Sequence, residues 1–447
     1  MSNQRKYNTF RQMFPRMVYE SFEHDVQPDG LHIEFCFRLS DKIAFRPTAF
    51  IPNRDFLHMD LPREVMDNLV FHIGMIELVS YWKCVCSPVI EVRPFALSGE
   101  QVDFWKKLYW NGLGEFYYVN GIRDTLRDFV QIESRADAPL TKPFELPLTD
   151  SYLVPIGGGK DSVVTLEALR SGNCDIRPLI MNPRGATTLC AQRGGFEMDQ
   201  VLEIKRTIHP QLLDLNKQGC LNGHTPFSAM LGFYTLLASA LSGRKHIALS
   251  NESSANESTV VGTSVNHQYS KSLEFENDFR AYVAQFVSPS FNYFSFLRPL
   301  SELQIASLFA RKEQYFDVFK SCNAGSKQDI WCGKCAKCLF AYIILSPFIE
   351  PERLNGIFGK NMLDDAELRP LFDQLIGAAE TKPFECVGTV SEVNSALSLT
   401  LSRWYPTDRP ALLKDYCATA PTTPLDTFFA EHNLNSTQFN LLTQYAL

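Results

Sequence analysis

Runs of basic residues are absent from this 447-residue chain, and its formal net charge is −7. A protein that grips nucleic acid broadly needs the opposite balance, so no nucleic-acid partner is expected. The opening residues, Met1 to Met13, lack the apolar core of a secretory signal, so none is expected. Thr225 to Gly243 carries no charge and invites a membrane reading, yet it contains Thr, Ser, Pro and Gly. Its large apolar residues Phe227, Met230, Leu231, Tyr234, Leu237 and Leu241 recur at helical spacing. A buried core helix opened by Thr225-Pro226 is expected there instead of a membrane span. Internal repeats and low-complexity segments are missing, which sets solenoids and disordered arms aside. Twelve cysteines without a leader suggest reduced thiols and metal ligands, not a disulfide framework. Together these absences lead us to expect a cytoplasmic protein.

The chain is too long for one ordinary core, so two or three domains are expected. Residues 1–140 read as an α+β unit rich in aromatics. Leu31–Leu39 alternates apolar and polar, the mark of a half-buried strand, with Lys42–Arg46 and Val89–Arg93 as its partners. Helices are expected over Pro62–Lys83 and Gln101–Leu113, the second carrying Phe104, Trp105, Leu108, Tyr109 and Trp110. That stripe is most simply core; exposed members would stack on a sugar or base. Arg135–Pro143 is polar and proline-bearing, the composition of a linker. Across 150–345 the pattern alternates between strands (Tyr152–Ile156, Ile176–Met181, His246–Ser250) and helices (Ser162–Arg170, near Met198–Ile208, Pro226–Ser242). Such alternation predicts a parallel sheet covered by helices, with ligands at the carboxyl ends of strands. Residues 346–447 read as helical and irregular.

Three strand ends are expected to converge: Gly157–Ser162, Asn182-Pro-Arg184 and Asn251-Glu252-Ser253. The first is the strongest signal. Gly157, Gly158 and Gly159 let the backbone turn tightly and approach a ligand, and the following helix points free N–H groups back at the loop. Lys160 adds positive charge, and Asp161 can hold a metal or cap the helix. A glycine-rich turn alone would explain three glycines; Lys160, Asp161 and Ser162 move the reading to a phosphate cradle. Neither the Gly-x-x-x-x-Gly-Lys-Ser/Thr loop nor the Gly-x-Gly-x-x-Gly pattern can be laid on these residues. The stretch resembles the Ser-Gly-Gly-x-Asp-Ser loop of the PP-loop ATP pyrophosphatases, an α/β, parallel-sheet (HUP-like) family, with Gly157 where that family has serine. The resemblance implies ATP contacts at Gly157, Gly158, Gly159, Lys160, Asp161, Ser162, Asn182, Asn251 and Glu252. It also implies Mg2+ on Asp161 and Glu252.

Cys322, Cys332, Cys335 and Cys338 stand as Cys-x9-Cys-Gly-Lys-Cys-Ala-Lys-Cys, four soft ligands suited to structural tetrahedral zinc. An iron–sulfur cluster uses the same ligands. The cysteine pattern resembles that of the 7-cyano-7-deazaguanine synthases, which join a PP-loop to such a site. Acid–base groups gather between Val265 and Asp278, at His224 and in Lys382–Thr389. Candidate proton carriers are His267 first, then His224, Lys271 and Cys386.

A fuller resemblance runs through Phe71–Lys83, Gly114–Gly121, Gly157–Ser162, Asn266–Lys271 and Pro383–Gly388. These segments together resemble the ATP-dependent UDP-N-acetylmuramoyl-L-alanyl-L-glutamate epimerases of peptidoglycan synthesis. That resemblance implies adenylation of the terminal glutamate, movement of its α-proton, and release of AMP and diphosphate. The N-terminal unit is the expected seat of the UDP-sugar-peptide. A nucleobase- or tRNA-modifying PP-loop enzyme and a non-catalytic ATP-binding module stay open alternatives.

Overall fold

The computed structural model of the protein describes residues 2–140, 142–260, 262–263, 265–418 and 420–447. Thr141, inside the expected linker Arg135–Pro143, lies outside the described residues. The fold is mixed α/β. Its strands are β1 (Arg16–Gln27), β2 (Gly30–Ser40), β3 (Ile43–Phe45), β4 (Thr48–Pro52), β5 (Val89–Val92), β6 (Gln131–Ser134), β7 (Thr149–Pro155), β8 (Ile176–Met181), β9 (Leu202–Arg206), β10 (Arg244–Leu249) and β11 (Asn292–Ser295). Two compact units divide the chain. The first takes Met1–Leu153, Leu202–Ile247 and Tyr269–Tyr293; the second takes Val154–Val201, Ala248–Gln268 and Phe294–Leu447.

In the first unit, β1 and β2 form an antiparallel hairpin, and β2 also pairs antiparallel with β3 and β4. β4 continues antiparallel to β9, while β5 lies parallel to β1 and β6 parallel to β5. β10 pairs in parallel with β7, matching Arg244 to Thr149 and Ile247 to Leu153. The helix Arg63–Trp82 is buried along almost its whole length, a consequence of apolar residues on every face rather than one stripe. Gly74 lets it approach β1, since a Cβ there would fall 1.9 Å from the Tyr19 hydroxyl oxygen. Each large apolar side chain buried this way contributes about 1.5–3 kcal/mol. The same helix buries Glu77, which Arg206 grips through Nε at 2.5 Å and Nη2 at 2.6 Å.

Several sequence expectations change. Val89–Val92 pairs with β1 and β6, not with Leu31–Leu39. The expected helix near Met198–Ile208 is a short turn followed by β9, where Leu202 and Ile204 are buried and Glu203 and Lys205 are not. That period of two outweighs the residues' helix propensity. The core helix spans Phe227–Ser242, but Thr225 does not cap it; its Oγ1 accepts a 2.5 Å hydrogen bond from the buried Lys83 ammonium. Trp105, Leu108 and Tyr109 are fully buried and form core, while Phe104 and Trp110 of the same stripe are half-buried. Among the described residues no helix is long and apolar enough to cross a membrane.

In the second unit the ends of the strands lie side by side. Ile156 N–H, just past β7, donates to the Leu179 carbonyl of β8 at 2.8 Å. Phe296 N–H, just past β11, donates to the Leu249 carbonyl of β10 at 2.7 Å. This arrangement brings the loops that leave the strands into one neighbourhood.

Candidate active site

The glycine loop joins β7 to the helix Lys160–Ser171. Gly159 takes the N-cap position without a side chain to cap it, leaving the first N–H groups of the helix for a ligand. Gly158 has φ +80°, and a Cβ there would lie 2.9 Å from the Ala186 carbonyl carbon, so a side chain is excluded. Around Gly157 there is open space. The loop is tied on two sides. Lys320 N–H donates to the Gly158 carbonyl at 2.8 Å, and Arg184 Nη2 donates to the Gly157 carbonyl at 3.4 Å. Arg184 follows Asn182, which holds φ +50° at the end of β8. The second expected strand end therefore meets the first.

The third meets them through carboxylates. One oxygen each from Asp161, Glu252 and Glu302 lies within 4.8 Å of the others. Lys160 Nζ is buried and bonds both Asp161 and Glu302. Burial alone would lower the Lys160 ammonium, but the two carboxylates hold it above the ordinary lysine value. Burial raises the Glu302 carboxyl well above its usual range, and the neighbouring Asp161, Glu252 and Glu392 add to that rise against Lys160. A fourth carboxylate, Glu392, accepts from Glu302 N–H at 2.8 Å. Three carboxyl groups thus converge with their oxygens close together. The donor set therefore fits a hard divalent cation. Asn251 donates to Ser295 Oγ at 2.9 Å, and Arg298 donates to the Glu252 carbonyl at 2.6 Å.

The four cysteines also converge. Sulfur separations are 3.8 Å for Cys322–Cys335, 3.7 Å for Cys332–Cys338 and 3.5 Å for Cys335–Cys338. Zinc at about 2.3 Å from each sulfur of a tetrahedron requires edges of about 3.8 Å. The contact between the Cys335 and Cys338 sulfurs shifts the two thiols apart, lowering Cys335 and, together with burial, raising Cys338.

The proton-carrier candidates divide between the units. His267 and Cys386 belong to the second, His224 and Lys271 to the first. His267 N–H donates to Thr259 Oγ1 at 3.0 Å, and Thr259 accepts from Lys382 N–H at 3.2 Å. Gln268 donates to the Val387 carbonyl at 3.2 Å. These bonds lay the His267 segment beside the Cys386 segment. Glu385 immediately precedes Cys386, and its carboxyl is raised by burial, with Lys337 and His267 opposing and Cys335 and Cys386 reinforcing the shift. In the first unit, His224 Nδ1 lies 3.4 Å from Glu115, and Glu274 and Asp278 bind Lys107 at 2.7 Å each.

Comparison with known proteins adds a family. Residues 8–296 match the MurL N-terminal domain, and residues 318–425 match the MurL C-terminal domain. The chain belongs to the MurL family. Three curated relatives bear the name UDP-N-acetyl-alpha-D-muramoyl-L-alanyl-L-glutamate epimerase. The protein from Xanthomonas oryzae pv. oryzae is 39% identical over 339 residues, 74% of this chain and 74% of its own. The one from Salinispora tropica is 38% identical, covering 72% of this chain and 70% of its own. The one from a Micromonospora species is 36% identical, covering 75% of each. On the MurL division, the glycine loop, Asn251, Glu252 and His267 fall in the N-terminal match, and the four cysteines and Cys386 in the C-terminal one.

Sequence reasoning missed Glu302, Glu392 and Glu385 of this MurL chain. Two of them carry a local signal. Ser301–Gln304 and Thr389–Glu392 are capping boxes, each opening a helix. A helix N-terminus with an acidic first turn, in the same unit as a glycine loop, is a place to look for buried carboxylates.

Proposed function

We propose that this chain inverts the α-carbon of the terminal glutamate of UDP-N-acetylmuramoyl-L-alanyl-L-glutamate, with ATP as co-substrate. The observation that carries this reading is Lys160 among Asp161, Glu252 and Glu302 beside the glycine loop, in a chain whose relatives bear that epimerase name. A free carboxylate resists loss of its α-proton, because negative charge would build beside negative charge. Attack of that carboxylate on the α-phosphorus of ATP expels diphosphate and forms an acyl-adenylate. The α-proton then leaves to a base and returns on the opposite face, and water releases the free acid and AMP. Lys160 and the N–H groups of Gly157–Ser162 hold the departing diphosphate in a PP-loop manner. Asp161 and Glu252, with Glu302, would hold Mg2+, which neutralises phosphate charge when bound. Cys322, Cys332, Cys335 and Cys338 would hold a structural zinc.

His267 is the proposed base. Glu385 and Cys386 lie in the segment bonded beside it, and burial raises the Glu385 carboxyl above its ordinary value. His224, oriented by Glu115, is a second candidate. The test is turnover in deuterated water followed by chiral analysis of the glutamate. D-glutamate carrying deuterium at Cα, with AMP and diphosphate formed only when the dipeptide substrate is present, is the expected result. Absence of both D-glutamate and Cα deuterium sinks the proposal.

A further inference from the structure

A cavity of about 570 Å³ opens in the second unit beside the carboxylate cluster. That volume lies within the roughly 300–1,000 Å³ typical of small-molecule sites. One wall is Ser253, Ser254 and Asn256, which directly follow Glu252; Ser254 Oγ donates to Glu252 Oε1 at 3.2 Å. A second wall is the first turn of the helix Val390–Trp404, with Thr389, Ser391 and Glu392, the last of which receives the Glu302 N–H. The cavity and the cluster thus share Glu252–Ser254 and the Glu302–Glu392 contact.

An irregular arm closes the third side and presents Thr427, Phe428 and Phe429. It is pinned at several points. Gln304 Nε2 donates to the Leu425 carbonyl at 3.2 Å and the Thr427 carbonyl at 3.1 Å, and Phe429 N–H donates to the Pro299 carbonyl at 2.9 Å. Ser391 Oγ meets Thr422 Oγ1 at 2.6 Å. The first turn of the helix Glu302–Ala310 therefore points Glu302 at Lys160 and Gln304 at the arm, fixing one against the other.

The lining selects a chemistry. Its polar groups are mostly hydroxyls, which both donate and accept. Among the described residues its charged groups are Glu257, which Lys382 holds, Glu392, whose carboxyl burial raises, Glu431 and the guanidinium of Arg298. That guanidinium is buried and turned to the Glu252 carbonyl and Ser295 Oγ. A diphosphate would find no cluster of cations among the described lining residues. A neutral group with hydroxyls and amides would find partners, and the C–H face of a sugar would pack on the negative faces of Phe428 and Phe429.

We infer that this cavity receives the neutral middle of the substrate, the acylated sugar and its first amino acid, next to the centre that activates the terminal carboxylate. The inference rests on the proposed epimerase reading. It is tested on the full chain with Thr427→Trp, which fills the cavity from an exposed position, and Phe428→Ala. The binding probes are N-acetylmuramoyl-L-alaninamide, which is neutral and lacks the nucleotide, and UDP, each titrated into folded protein. Wild type binds the neutral probe, Thr427→Trp loses at least about tenfold of that affinity, and UDP binding changes less than about twofold. In turnover, both variants raise KM for the dipeptide substrate and leave KM for ATP in place. Unchanged affinity for the neutral probe in Thr427→Trp, no binding of it to wild type, or selective loss of UDP binding overturns the assignment. A wild type that binds the neutral probe but does not epimerise overturns the epimerase reading instead.

Discussion

Lys160 and Glu302, 142 residues apart in sequence, form a buried ion pair at the mouth of the glycine loop. The pair serves two ends, charge at the loop and stability of the fold, and these separate experimentally. Lys160→Met strands buried carboxylates and is expected to cost about 3–5 kcal/mol of unfolding free energy. The double variant Lys160→Met/Glu302→Gln recovers most of that stability by denaturant titration. It stays at least about a hundredfold down in ATP-dependent turnover, because the phosphate contact is gone. Recovery of both together would remove Lys160 from the chemistry.

The loop glycines are not equivalent. Gly157 has room for a side chain, so Gly157→Ser is expected to hold its melting temperature within about 0.5 kcal/mol equivalent. Turnover should be equal or higher, through an added hydroxyl contact to phosphate. Gly158→Ala must place a Cβ against Ala186 at φ +80° and is expected to lose about 1–3 kcal/mol and most activity. Equal tolerance at both positions would contradict the loop geometry.

Metal analysis of purified protein is expected to find one zinc per chain. Cys338→Ser, at the buried corner of the four sulfurs, abolishes it and lowers stability by several kcal/mol, on the order seen when a structural site is lost. Iron and sulfide in place of zinc would identify a cluster.

Acid sensitivity has an assigned source in the first unit. His72 Nδ1 bonds the Asn68 carbonyl at 2.8 Å and Nε2 bonds the Tyr282 hydroxyl at 3.0 Å. Burial lowers its pKa to about 4 from an ordinary 6.5. The folded protein keeps the imidazole neutral while the unfolded chain protonates it. Stability is therefore intact above about pH 6.5 and falls as the pH drops toward 4, by about 3 kcal/mol for this group. Against His72→Gln, wild type should show the steeper loss of melting temperature between pH 6.5 and 4.

The legible parts of the chain were those with local pattern. Gly157–Ser162 between an apolar strand and an apolar-sided helix, and the spacing of Cys332, Cys335 and Cys338, need only neighbours in sequence. What was not legible depended on partners far away. Glu302 gains its meaning from Lys160, and Val89–Val92 could not reveal that its neighbour is β1. Leu202–Arg206 misled because five residues are too few to separate a period of two from a helical one. Burial likewise decided that Trp105 and Tyr109 are core, a property of the packed chain that composition does not hold.

Each of the two units is built from three separated pieces of chain, with crossings after Leu153, Val201, Ile247, Gln268 and Tyr293. During synthesis the first unit lacks its last piece until Tyr293 leaves the ribosome, by which time two pieces of the second have already emerged. No single cut in the gene yields a fragment that contains one whole unit without part of the other. Both must mature together late in translation, so truncations and nonsense alleles on either side of the middle are expected to give aggregates rather than half-enzymes.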